Sequence, residues 1–150
     1  MNGSRVVGCI MDLSDALSFV AAHRNAILVT LKRDGRPQLS NVVYHLGDDG
    51  LVRVSITADR AKYANLRRDP RVSLHVNRAD FYGYVVLEAE AELSAVAAAG
   101  DDATVDELVE LYRGLAGEHS DWDDYRRAMV ADRRVVLRIR PTHAYGMLGG

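Results

Sequence analysis

Between residues 26 and 139 the sequence returns six times to a short apolar or alternating run, and turn or helix-breaking residues separate several of these runs. A chain punctuated in this way reads as strands joined mostly by hairpins, which points to an antiparallel sheet or a small barrel. The runs are 26–31, 37–44, the segment holding Val52, Val54 and Ile56, the segment holding Val72, Leu74 and Val76, then 82–94 and 134–139. Asp34-Gly35 supplies a hairpin turn between the first two, and Gly47-Asp48-Asp49-Gly50 supplies another after the second. Strand periodicity puts Arg53, Ser55 and Thr57 on the face opposite Val52, Val54 and Ile56. In 82–94, Leu87, Ala89, Ala91 and Leu93 face one way and Glu88, Glu90 and Glu92 the other.

Helices are expected around this sheet. One covers 14–23, with Ser14 as its cap and Leu17, Val20 and Ala21 at helical spacing. A short one covers 60–68, and Asp69-Pro70 ends it because proline disfavours helix at the preceding residue. A third covers about 103–116 behind Asp102 or Thr104, and a fourth follows Ser120 with Trp122, Tyr125 and Met129 on one face. Strands and helices do not alternate regularly and no GxGxxG motif is present, so a doubly wound fold is not expected. The fold class is mainly β with peripheral helices (α+β), built on six antiparallel strands in one domain over 1–150, with 1–11 as a flexible extension and Met11 as a second candidate start.

Composition narrows the function. The formal net charge of −2 argues against a dedicated nucleic-acid binder. No apolar run approaches the roughly 18 residues that a membrane span needs. A lone cysteine, Cys9, cannot form an internal disulfide, which suits the cytoplasm. Val6-Val7-Gly8-Cys9 resembles a lipoprotein cleavage site, but two apolar residues between Arg5 and Gly8 are too few for a signal peptide. There is no Walker loop, GxSxG elbow or HExxH. The five histidines lack metal-ligand spacing, so no metal is expected, and no catalytic residue can be named from motif alone.

Charge is unevenly spread. Residues 53–71 hold six basic residues against two acidic, whereas 101–124 hold nine acidic residues against Arg113. Arg60 and Lys62 fall at the N-terminus of the expected 60–68 helix, where the macrodipole disfavours cations by about 0.3–1 kcal/mol each. Free N–H groups also point outward there, so an anion, most simply a phosphate, would suit the spot; the plain alternative is a solvated basic helix. Gln38, Ser40 and Asn41 on one strand, and Ser55 and Thr57 on the next, offer hydrogen bonds to a flat heterocycle or its side chain. Ser55 and Thr57 lead directly into Arg60 and Lys62, so hydroxyls and cations share one corner.

Three segments carry a resemblance: Gly35-Arg36-Pro37-Gln38-Leu39-Ser40-Asn41-Val42, Arg60-x-Lys62-x-x-Asn65-Leu66-Arg67-Arg68-Asp69-Pro70-Arg71, and Gly117-Glu118-His119-Ser120-Asp121-Trp122-Asp123-Asp124-Tyr125-Arg126. In this order and spacing, the chain resembles the actinobacterial deazaflavin-dependent branch of the pyridoxamine 5′-phosphate oxidase-like family over about residues 12–148. The resemblance implies a split β-barrel homodimer with coenzyme F420 at the subunit interface and hydride transfer to a small electron-poor molecule. It implies that Arg60 and Lys62 hold the cofactor phosphate and that Asn65 supports that end. Pro37, Gln38, Ser40, Asn41, Ser55, Ile56 and Thr57 would border the ring and its side chain. Tyr82 matches an aromatic position near the cofactor, although Phe81-Tyr82-Gly83-Tyr84 departs from the tryptophan expected there. Alternatives on the same fold are an FMN-dependent oxidase or reductase, pyridoxamine phosphate oxidation, and a non-enzymatic cofactor carrier. Arg67, Arg68 and Arg71 add cations that the anionic tail of F420 could use and that FMN could not; the competing account is that they pair with Asp69 and the acidic segment 101–124.

Overall fold

A computed structural model describes residues 9–149. Eight strands form one antiparallel sheet: β1 (Cys9–Ile10), β2 (Asn25–Leu31), β3 (Pro37–Val43), β4 (His45–Leu46), β5 (Val52–Thr57), β6 (Arg71–Asn77), β7 (Tyr84–Leu93) and β8 (Arg134–Met147). Four helices complete the fold: α1 (Leu13–Ala21), α2 (Ala61–Arg68), α3 (Ala103–Ala116) and α4 (Trp122–Ala131). The six expected strands are present. The count rises to eight because β1 and β4 span two residues each, too short to show a period.

The strands lie in the order β3-β2-β6-β7-β8-β5-β4, with β1 on β8. The two ends of that order, β3 and β4, are consecutive in the chain, with Tyr44 between them. The sheet must therefore curl until its edges meet, which makes a barrel. Tyr44 is the closing residue. It is fully buried; its N–H donates to the Arg24 carbonyl at 2.8 Å and its hydroxyl to the Val20 carbonyl at 2.7 Å. Among the described residues no ladder joins β3 to β5, so the barrel stays split along that line.

Alternation fills the interior as the sequence predicts: Leu28, Val54, Leu74, Leu87 and Leu137 are almost wholly buried, and α1 adds Ala16 and Val20. Leu87 and Ala89 face in while Glu88 and Glu90 face out, and a bulge between Glu88 and Ala89 shifts the register with β8.

Several boundaries differ from expectation. Asp12 rather than Ser14 caps α1, accepting from the N–H groups of Ser14 and Asp15. α2 begins at Ala61, which makes Arg60 its N-cap. β7 begins at Tyr84, which leaves Tyr82 in the preceding loop. β8 continues to Met147 rather than ending at residue 139, because Pro141 sits beside the bulge and Gly146 meets a close approach. At Gly146, where φ is +157°, a Cβ would collide with the Tyr84 carbonyl. Cys9 and Ile10, expected in an extension, pair with β8; residues 1–8 lie outside the described residues.

Helix α3 buries Val105 and Leu108 in a cluster with Val136 of β8 and is tied to β5 and β8 by charge as well. The Glu107 carboxylate accepts from Arg53 at 2.7 Å and from Arg138 at 2.6 and 2.8 Å. Hydrogen bonding from Arg138, then Arg53, holds its carboxyl below the usual range. Asp102 and Asp121 cap α3 and α4.

Candidate cofactor cleft

The split between β3 and β5 opens two adjoining hollows. One, of about 200 Å³, lies among Gln38 and Ser40 of β3 and Arg60, Ala61 and Lys62 at the start of α2. The other, of about 310 Å³, lies between Asn41, Val42 and Val43 of β3, Val54 and Ser55 of β5, and an outer wall of Leu111, Tyr112, Leu115 and Tyr125 from α3 and α4. Lys62 lines both.

The first hollow is cationic. The Lys62 Nζ donates to Ser40 Oγ at 3.3 Å. Among the described residues no carboxylate lies within ion-pair distance of Arg60 or Lys62. Burial, then the neighbouring Arg60 charge, holds the Lys62 ammonium below its usual pKa. No side chain caps α2, so its first N–H groups face the same space. Two cations without an ion-pair partner at an uncapped helix N-terminus, one of them partly desolvated, fit a phosphate group.

The other expected residues are placed as follows. The burial pattern of β3 turns Gln38 and Ser40 toward the barrel and Pro37 and Asn41 outward, so the polar set is divided between two faces. Ser55 lines the larger hollow, and its Oγ accepts from Arg134 at 3.4 Å. The Thr57 hydroxyl donates to Asp59 at 2.6 Å. Ile56 is 2% exposed, its side chain packed in the core, and it lines neither hollow. Asn65 is buried beneath the hollow and hydrogen-bonded to Gln38 and Thr30. Tyr82 is 81% exposed on the loop between β6 and β7 and lines neither hollow.

Sequence reasoning missed the outer wall. Tyr112 meets His119, Trp122 and Tyr125 with ring centroids 5.1, 5.6 and 5.1 Å away. The Tyr125 hydroxyl donates to the Leu108 carbonyl at 3.0 Å, and burial pushes its pKa up to about 12. The helical stripe holding Tyr112 and the 117–126 segment were the available signals. Neither says which strands the helices cover.

A third hollow, of about 490 Å³, lies on the outer face of β2, β3 and β6, between Asn25, Asn41, His75 and Asn77. Leu39 and Val43 on that side of β3 are 59% and 49% exposed. Among the described residues no helix is long and apolar enough to cross a membrane, and no group of three or more His, Cys, Asp or Glu converges.

A family model described as pyridoxamine 5′-phosphate oxidase matches residues 14–148. Among solved structures, the chain is similar to a conserved hypothetical protein from Mycobacterium tuberculosis, at 24% identity over 98% of both chains with a TM-score of 0.72. It is also similar to an F420 reductase, at 26% identity over 85% of this chain and 93% of that one, with a TM-score of 0.65. A FAD-binding protein from Mesorhizobium loti shares the fold at 18% identity over 92% of this chain and 93% of that one, with a TM-score of 0.64.

Proposed function

The chain belongs to the pyridoxamine 5′-phosphate oxidase family, and from that premise we propose that it is an oxidoreductase that binds coenzyme F420 in the barrel split and reduces a small electron-poor organic molecule. The observation that carries this reading is the unpaired Arg60–Lys62 corner at the uncapped start of α2, opening into the cleft of Asn41, Ser55 and Tyr112. The similarity to an F420 reductase favours the deazaflavin over FMN.

The coenzyme, when bound, supplies two-electron hydride chemistry. Arg60, Lys62 and the free N–H groups of α2 hold its phosphate. Asn41 and Ser55 hydrogen-bond the ring edge and side chain. Leu111, Tyr112, Leu115 and Tyr125 shield the larger hollow from water and give a flat substrate an apolar wall.

The working unit is a homodimer. Leu39, Val43, Phe81, Tyr82 and Met147 are each about half exposed or more, and a second copy on this side would cover Leu39 and Val43. Tyr82, which lines neither cleft hollow of its own subunit, would then reach the partner's cleft. F420 fluorescence titration tests the reading. Micromolar binding in wild type with loss in Arg60→Ala and Lys62→Ala is expected; no binding, or tighter FMN binding, overturns the deazaflavin assignment.

A further inference from the structure

Beneath the cationic hollow a chain of four side chains leaves no freedom of orientation. The Arg68 Nη2 donates both to the Leu31 carbonyl at 2.9 Å and to the Asn65 side chain at 3.0 Å. A guanidinium only donates, so the Asn65 atom facing it must be the oxygen. The Asn65 Nδ2 is thereby turned the other way, where it donates to Thr30 Oγ1 at 3.1 Å and to the Gln38 side chain at 2.7 Å. The Gln38 atom that receives this bond must be Oε1. Its Nε2 is left facing the hollow, with no protein acceptor among the described residues. Reversing Asn65 would set its N–H groups against those of Arg68, a donor–donor clash. Asn65 is 6% exposed and Thr30 1%, so water does not offer an easy substitute.

Resting on the F420 reading of this corner, we infer that Asn65 is a positioning residue rather than a phosphate ligand. Arg68 sets the Asn65 carboxamide, Asn65 sets the Gln38 carboxamide, and Gln38 completes an anion cradle made of donors alone. The donors are the Gln38 Nε2, the Ser40 hydroxyl, Lys62, Arg60 and the first N–H groups of α2. The Ser40 oxygen is already taken by Lys62, which leaves its hydrogen to point at a ligand. A cradle without an acceptor takes an oxyanion with no proton to donate, such as a phosphodiester or sulfate, in preference to a protonated phosphate.

The test uses the whole chain, nitrogen-15 labelled and titrated with inorganic phosphate and sulfate while the side-chain amide signals are followed. In wild type the Gln38 amide pair shifts with anion, and sulfate binds at least as well as phosphate. Arg68→Met weakens anion binding roughly tenfold or more, as for a lost hydrogen bond to a charged group, and silences the Gln38 shift. Arg71→Met removes the same charge from a site 74% exposed and paired to Asp69, and changes affinity less than about twofold. If Arg68→Met proves unfolded in a thermal melt, Asn65→Asp keeps the Arg68 bond but offers Gln38 an acceptor. Gln38 then turns round and its amide protons no longer respond. Equal weakening by the two arginine variants overturns the relay, as does a wild-type Gln38 pair blind to anion. Anion binding with the Gln38 response but no F420 binding sinks the cofactor reading and leaves the relay intact. F420 binding with a silent Gln38 sinks the relay alone.

Discussion

At the scale of single residues, the charges at the start of α2 and the closure at Tyr44 make the sharpest statements. Arg60→Ala and Lys62→Ala should each weaken F420 binding about 10- to 100-fold, because a charge-assisted hydrogen bond contributes roughly 1.5–3 kcal/mol. Thermal melts should stay close to wild type, since removing either cation relieves repulsion from the other. A pH dependence follows. The Lys62 pKa is lowered by burial and by Arg60, so the lysine loses its proton at a lower pH than a free one. Its charge is unfavourable to the ligand-free fold below that folded pKa and useful to a bound anion there. Affinity should therefore fall as pH rises through it, earlier than for a lysine of ordinary pKa. Titrations at neutral and alkaline pH check this, and a flat profile counts against Lys62 as a ligand. At the closure, Tyr44→Phe removes a buried 2.7 Å bond to the Val20 carbonyl, which keeps its bond from the His23 N–H at 3.1 Å. It should cost about 0.5–1.5 kcal/mol in denaturant unfolding.

At the scale of elements, α3 is held over β5 and β8 by its buried Val105 and Leu108, packed with Val136, and by the Glu107 carboxylate, so the outer wall of the cleft depends on packing and charge together. Glu107, Arg53 and Arg138 are 20%, 20% and 25% exposed, so their bonds are only partly screened. Glu107→Gln should lower stability by about 1–3 kcal/mol at neutral pH. The folded pKa of Glu107 is lowered, so its stabilisation is complete above the unfolded carboxylate value and is lost as pH falls through the folded one. Unfolding curves of wild type and variant should therefore converge in acid; a gap that persists there would mean packing, not charge, holds the helix. On β8, Gly146→Ala drives a Cβ into the Tyr84 carbonyl between two paired strands. A loss of about 2–4 kcal/mol is expected, read as a lower melting temperature.

At the scale of the whole molecule, the predictions concern assembly and long-range charge. An obligate dimer should bury more than roughly 2,000 Å² in total, and light scattering at micromolar concentration should report twice the 16.5 kDa chain. A monomer would remove the shared cleft. The basic stretch after Lys62 is less free than its composition suggests. Arg71 pairs with Asp69 at 2.8 Å, and Arg68 is held by Leu31 and Asn65. Arg67, resting over the Tyr63 ring at 5.8 Å, is the arginine of this stretch left to meet an anionic tail. Arg67→Ala should weaken F420 binding by a few-fold at most, since an exposed pair contributes about 0.2–1 kcal/mol. The effect should shrink with salt and be absent for FMN, which has no such tail.

The sequence by itself determined the six long strands, the positions of the four helices and the cationic corner. These depend on period, turn residues and local charge, which act over a few neighbours. Arg60 and Lys62 were legible for that reason: a macrodipole conflict is a property of one helix. The closure at Tyr44 was not legible, because β4 has two residues and its role depends on where β5 lies. Asn65 is the clearest case of the difference. Its place five residues after Arg60 in a motif suggested support for a phosphate, but its hydrogen bonds go to Thr30, Gln38 and Arg68, 35, 27 and 3 positions away. Tyr112 and Tyr125 were visible as helical apolar positions. Only the docking of α3, by Val105 and Leu108 against Val136 and by Glu107 against arginines 54 and 31 positions away, brought them to the cleft. Contacts at such separations depend on how the barrel closes, and no local pattern encodes that.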